Sequence, residues 1–364
     1  MISVKQLSYL TVILIFSTGI LYLPSITIRH AGNGGWLSPF ISMMVGIMVL
    51  FIILFFHYQF TSKTLTEYLP LLVGKWGARL LGALYVLFFW STGLLVVREM
   101  VGIVRITLLP KTPIVVICFM IALAIIYGAY CKMEAIARLI ELIVLLLPVM
   151  VIALITGLAG AIHWGAFFPF IEAGWRGVIR GAFVPSSWFG EIIVLAYLLP
   201  IVSSHHRSFS ILLFSLGITA GLLSIIVMLI IGVFGASEAA RTPLATYELI
   251  RYVQFGSFLQ HIDALFLFPW LMFMLVKGLL FFYVAMISFS QTIVLPSYQF
   301  TIIPLVFLST VVSHWMFLDD ATVSKFLEVV WPVYALFFEA AVPLLLLVLY
   351  FVRHRKIQTI RMSP

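Results

Sequence analysis

The sequence predicts an all-α integral membrane protein of about ten transmembrane helices, a 5+5 inverted repeat with helices one and six broken. Three observations lead there. The 364 residues are 63% hydrophobic and 9% charged, with mean hydropathy +1.20, whereas soluble domains lie near about 45–50% apolar and about 25% charged. Apolar runs of membrane-spanning length fill nearly the whole chain and leave no room for a separate soluble domain. The first and sixth runs both carry small residues and a proline where a lipid-facing helix should have neither, and such matched interruptions point to inverted-repeat transporters.

Taken in order, the runs lie near 7–29, 37–60, 80–108, 113–130, 136–160, 182–203, 208–235, 263–290, 300–318 and 327–352. They form one transmembrane domain over 1–364, with repeats roughly 7–160 and 182–318 plus peripheral helices. Only Lys5 precedes the first run, which reads as a retained helix and not as a cleaved signal. Gly32-Asn33-Gly34-Gly35-Trp36 is a turn into span two, because no Lys-Ser/Thr follows it as in a phosphate loop. Ser62–Arg79 alternates Leu65, Tyr68, Leu69, Leu72 and Trp76 with Lys63, Glu67, Lys75 and Arg79, which suggests a helix lying at the interface; a plain loop is the alternative. Cys118 and Cys131 stand about 20 Å apart on one helix and cannot pair with each other there. The outer loops Ala161–Gly181 and Ala236–Ile262 are the longest, and TPLATYELIRYVQ has the period of a short helix.

With the amino terminus inside, the inner side collects Lys5, Lys63, Lys75, Arg79, Lys132, Arg138, Arg207, Arg353, Arg355, Lys356 and Arg361. The other side holds Arg29, Arg105, Lys111, Arg176, Arg180, Arg241, Arg251 and Lys325. This modest bias places both termini in the cytoplasm. The net charge of +8 is spread over loops and helix ends, so it fits anionic lipid and gives no case for nucleic acid.

Chemistry concentrates where polar groups enter apolar runs. In span six, Pro185, Ser186, Ser187 and Gly190 precede Glu191; in span one, Ser17, Thr18 and Gly19 precede Leu23-Pro24. An acid at membrane depth costs roughly 2.5–3.5 kcal/mol on insertion scales and is kept for a reason. Two facing gaps would leave free N–H groups for a carboxylate and free carbonyls for a cation, a cradle for an amino acid with Phe189 as a wall. A proline-kinked helix with a structurally paired Glu191 fits the same string. Lys277, inside FPWLMFMLVKGLLFFY with Phe281 one turn on, should point inward and find an acid, a carbonyl or the ligand. Thr92 and Glu99 share a face of span three; Arg98-Glu99 reads first as a structural pair, and Asp263 opens span eight. Glu339 in span ten has no assigned role. His205-His206-Arg207 lacks ligand spacing, and neither a metal, a cofactor nor an enzyme's catalytic constellation is expected.

Together the opening VKQLSYL, the Gly19…Leu23-Pro24 break, AGNGGW, TLTEYLPLLVGKWG, Arg98-Glu99 and Thr112-Pro113-Ile114 form one set of features. WFGEIIVLAYLLP, HIDALFLFPW and Trp315…Asp319-Asp320 complete it, and over residues 1 to about 355 the set resembles the spore germination permease family. These are B subunits of nutrient germinant receptors within the amino acid–polyamine–organocation superfamily. The resemblance implies a multi-pass protein of the endospore inner membrane that works with A and C subunits. It also implies a small nutrient, often an amino acid, bound by Gly19, Gly190, Glu191 and Lys277, with Thr92, Phe189 and Phe281 beside them. A sensor is the first expectation. A proton-coupled amino acid transporter and a scaffold or conduit subunit are its rivals.

Overall fold

A computed structural model describes residues 2–131, 133–203, 208–253, 263–316 and 320–362, leaving aside the side chains at 263–264, 314–316, 320–321 and 354–362. Lys132, the His205-His206-Arg207 cluster, Asp319 and the side chains of Asp263, Trp315 and Asp320 therefore lie outside the described residues. The described residues are mostly helical, in the order α1 (Val4–Ala31), α2 (Ser38–Gln59), α3 (Leu65–Thr107), α4 (Ile114–Tyr130), α5 (Met133–Ile143) and α6 (Leu146–Leu158). Then come α7 (Gly174–Gly190), α8 (Leu195–Leu198), α9 (Ser208–Arg241), α10 (Ala245–Tyr252) and α11 (Asp263–Ile293). The chain closes with α12 (Ile302–Met316), α13 (Asp320–Val329), α14 (Trp331–Leu336) and α15 (Val342–Met362).

Seven stretches are long and apolar enough to span a bilayer. The first, Val4–Gln59, is two helices folded at the 3-10 turn Gly32–Leu37, and with two shorter apolar helices the expected ten segments are present. Their outward faces carry Phe51, Phe119, Ile152, Phe214 and Phe307 exposed, the reverse of a water-soluble surface. The most extensive packing joins α3 to α11 and α1 to α9, followed by α2 with α7 and α1 with α7. Gly19 lies in the α1–α9 seam, where an added Cβ would sit 3.2 Å from Leu223.

Three local expectations change. Helix one is not broken: α1 runs unbroken from Val4 to Ala31 with Pro24 inside it. Proline leaves the carbonyl of the residue four earlier without its helical donor, and here that carbonyl, on Ile20, receives the Thr246 hydroxyl from α10. The α10 start is held in turn by Ser25, whose hydroxyl accepts from the Ala245 amide at 3.3 Å. Helix six departs from α-geometry without unwinding; it tightens to 3-10 over Glu191–Val194 after Gly190, with Glu191 itself at φ −55°, ψ −16°. Its first turn lies at Gly174, earlier than the sequence pattern places it. The amphipathic stretch after Ser62 is a short helix that ends at Gly74, where φ +78° turns the chain into span three. Its opening is fixed by a capping box between Thr64 and Glu67. The short helix expected in TPLATYELIRYVQ is α10, with Ala245, Thr246, Leu249 and Ile250 buried.

Candidate functional site

Four helical elements meet in one buried polar cluster, three of them carrying an ionisable side chain. From α11, Lys277 is fully buried and its Nζ lies 2.7 Å from Glu191 Oε2, at the start of the 3-10 turn of helix six. The same ammonium donates to Thr18 Oγ1 of α1 at 2.8 Å. Thr18 then donates to Glu99 Oε2 of α3 at 3.2 Å. Phe281, one turn beyond Lys277, sets its ring 6.0 Å from the ammonium. The continuous string Glu191–Lys277–Thr18–Glu99 thus ties spans one, three, six and eight. Removing two opposite charges from water is costly and adds little stability, so such a string at membrane depth marks function better than it marks strength.

Glu99 also reaches open space. A cavity of about 400 Å³ is lined by Tyr22 of α1, Arg98, Glu99, Gly102, Ile103 and Ile106 of α3, Pro243 and Leu244 before α10, and Val323, Ser324, Lys325 and Glu328 of α13. Its rim is clamped where Arg29, at the end of α1, pairs with Glu328 at 2.5 Å and donates to the Ala240 carbonyl of α9 at 3.3 Å. Arg98-Glu99 therefore belongs to a cavity wall, a place that the pair's position near the end of an apolar run does not reveal.

The other expected site residues are distributed as follows. Glu191, Lys277 and Phe281 form the string described above. Gly190 contacts Glu339: a Cβ at Gly190 would meet the Glu339 Cβ at 3.0 Å. Phe189 is fully buried, with its carbonyl 3.2 Å from where a Cβ on Gly46 would stand. Thr92 spends its hydroxyl on the Phe88 carbonyl of its own helix, 2.7 Å away. None of Gly19, Thr92, Phe189, Gly190, Glu191, Lys277 and Phe281 lines the 400 Å³ cavity; it meets the string only at Glu99. The sequence pattern marks Thr18 only as part of the span-one interruption, and it does not single out Tyr22 or the α13 residues. A hydroxyl beside the Gly19 signal was the available clue to Thr18, while α13 carries no mark in sequence of what it faces.

These features define a class: a multi-pass helical membrane protein with a charged string buried beneath a cavity at one end of the bundle. The chain belongs to the spore germination protein family, whose sequence model matches residues 1–321. It is 22% identical over 355 residues to spore germination protein YndE of Bacillus subtilis strain 168, covering 96% of each chain. It is 25% identical to spore germination protein XB of Bacillus anthracis over 72% of this chain and 74% of that one. To spore germination protein KB of Bacillus subtilis strain 168 it is 20% identical over 79% of this chain and 78% of the relative. The resemblance read from the sequence is thereby established, and the function is germination-related and membrane-embedded.

Proposed function

We propose that this chain is the nutrient-sensing membrane subunit of a germinant receptor, taking a small ligand, an amino acid in the first instance, into the cavity above Glu99. The observation that carries the reading is the contact between that cavity and the buried string: Glu99 lines the one and ends the other. Arg98, Glu99 and Lys325 present both signs of charge to the cavity, as a zwitterion requires. A ligand that displaces the Thr18–Glu99 bond changes what holds Lys277, and through Glu191 what holds helix six. Such a ligand shifts the equilibrium only by its difference in affinity between the two states. With both termini cytoplasmic, the cavity opens on the outer side of the membrane, and the altered helix faces reach the A and C subunits. The frame we assign is the inverted repeat. Packing pairs one–seven and two–six exchange when helix n is matched to helix n+5, and three–eight and four–nine map onto themselves. No step of this reading requires chemistry on the ligand, so we assign no enzymatic role.

The test is the nutrient dose–response of cells carrying Glu99→Gln, Lys277→Met or Glu191→Gln at unchanged protein level. Each variant is expected to lose the response or change its preferred nutrient, and wild-type curves in all three would refute the reading. A transporter is the second reading, favoured by the ion pair held at membrane depth. Saturable accumulation of labelled amino acid in proteoliposomes of the chain alone would establish it over a pure sensor.

A further inference from the structure

The last membrane helix changes its geometry around one acid. Between α14 and α15 the chain makes a π-helical turn over Phe337–Ala341, a rare widening that often accompanies functional positions. Its centre is Glu339, fully buried, and neither carboxylate oxygen has a hydrogen-bond partner among the described residues. The side chain presses on the Gly190 backbone, so closely that a Cβ there would stand 3.0 Å from both Cβ and Cδ of Glu339. We propose that Glu339 binds one small hard cation, a proton or an alkali-metal ion, where the last helix meets helix six. The junction stays packed only while that charge is present.

The groups around it leave this role open. Lys277 is already engaged by Glu191 at 2.7 Å and Thr18 at 2.8 Å. Tyr85 of α3 gives its hydroxyl to the Phe338 carbonyl, 3.0 Å away, and not to the carboxylate. On α7, Arg176 and Arg180 stand ten or more residues before Gly190, about 15 Å or more along the axis. The α2 segment Ser38–Phe56 contains no acid or base, and on the acid's own helix Tyr334 is bonded to Ser91 at 3.0 Å. Burying a carboxylate with neither donor nor counter-charge costs several kcal/mol, so the group takes a positive charge from elsewhere. Oxygen donors select hard ions. A divalent ion would ask for more acids, and among the described residues no group of three His, Cys, Asp or Glu is placed to hold one. Without the cation, Glu339 and Glu191 become like charges on either side of Gly190 and push the last helix away from helix six. That displacement works on the partner of Lys277, so the occupancy of this site biases the buried string whichever nutrient the cavity accepts.

Thermal unfolding of the full-length chain in detergent tests this in two arms. In one, NaCl or KCl replaces choline chloride at constant ionic strength and fixed pH; in the other, pH is varied in choline chloride alone. A ligand bound only by the folded state raises Tm with its concentration. Alkali ions raising Tm in the wild type but not in Glu339→Gln identify a metal-ion site. Wild-type Tm falling as pH rises, more steeply than in Glu339→Gln, identifies a proton site. Glu339→Asp keeps the carboxylate and is expected to keep the dependence with a shifted midpoint, which decides the matter if the Gln variant does not fold. Identical responses of wild type and variants in both arms would overturn the proposal.

Discussion

Lys277 shows how much one side chain holds in this molecule. Its ammonium serves Glu191 and Thr18 together, and Thr18 in turn serves Glu99. Lys277→Met should leave Glu191 buried without its cation and cost about 3–5 kcal/mol of stability, while Lys277→Met with Glu191→Gln should recover a substantial part. Denaturant unfolding of the two single variants and the double gives the coupling; a single variant as stable as the wild type would mean that the pair contributes nothing. Both ends of the pair were legible in the sequence, because a charge inside an apolar run stands out without knowledge of the fold. Thr18 was not, since a hydroxyl in a membrane helix usually bonds its own backbone, as Thr11 and Thr92 do here. Gly19, beside it, makes a close approach to Leu223.

At the scale of elements, the lesson lies in α1. Proline in an apolar helix strands a carbonyl, which by itself predicts an opening there for a ligand. The fold instead closes the gap from 226 residues away, with Thr246 on α10 bonded to the Ile20 carbonyl. No local pattern announces a partner so distant. Thr246→Val should therefore cost about 1–3 kcal/mol, the penalty for an unsatisfied buried acceptor. Adding Pro24→Ala restores an N–H to the helix and should remove most of that cost. Unfolding of the two single variants and the double checks it; a Thr246→Val penalty that Pro24→Ala leaves untouched would show that the hydroxyl acts elsewhere. The distortion in helix six was better signalled, because Gly190 and Glu191 mark the place where α7 gives way to the 3-10 turn. Its form was not signalled, since a 3-10 segment keeps the backbone bonded where an unwound gap would free it.

For the whole molecule, the number and order of the membrane segments were legible because length and apolarity alone decide what crosses a bilayer. The cavity was not. Its wall combines Tyr22 from one end of the sequence, the Arg98–Ile106 face, the loop before α10 and the face of α13, and only the packed fold brings these together. The proposed function requires that cavity to take a small nutrient whose presence is felt through Glu99. Ligand-dependent thermal stabilisation of the purified chain, across amino acids, nucleosides and sugars, tests it most directly. The expected result is a concentration-dependent rise in Tm for a zwitterionic amino acid, lost in Glu99→Gln while that variant remains folded. No stabilisation by any member of the panel, or the same rise in Glu99→Gln, would contradict it.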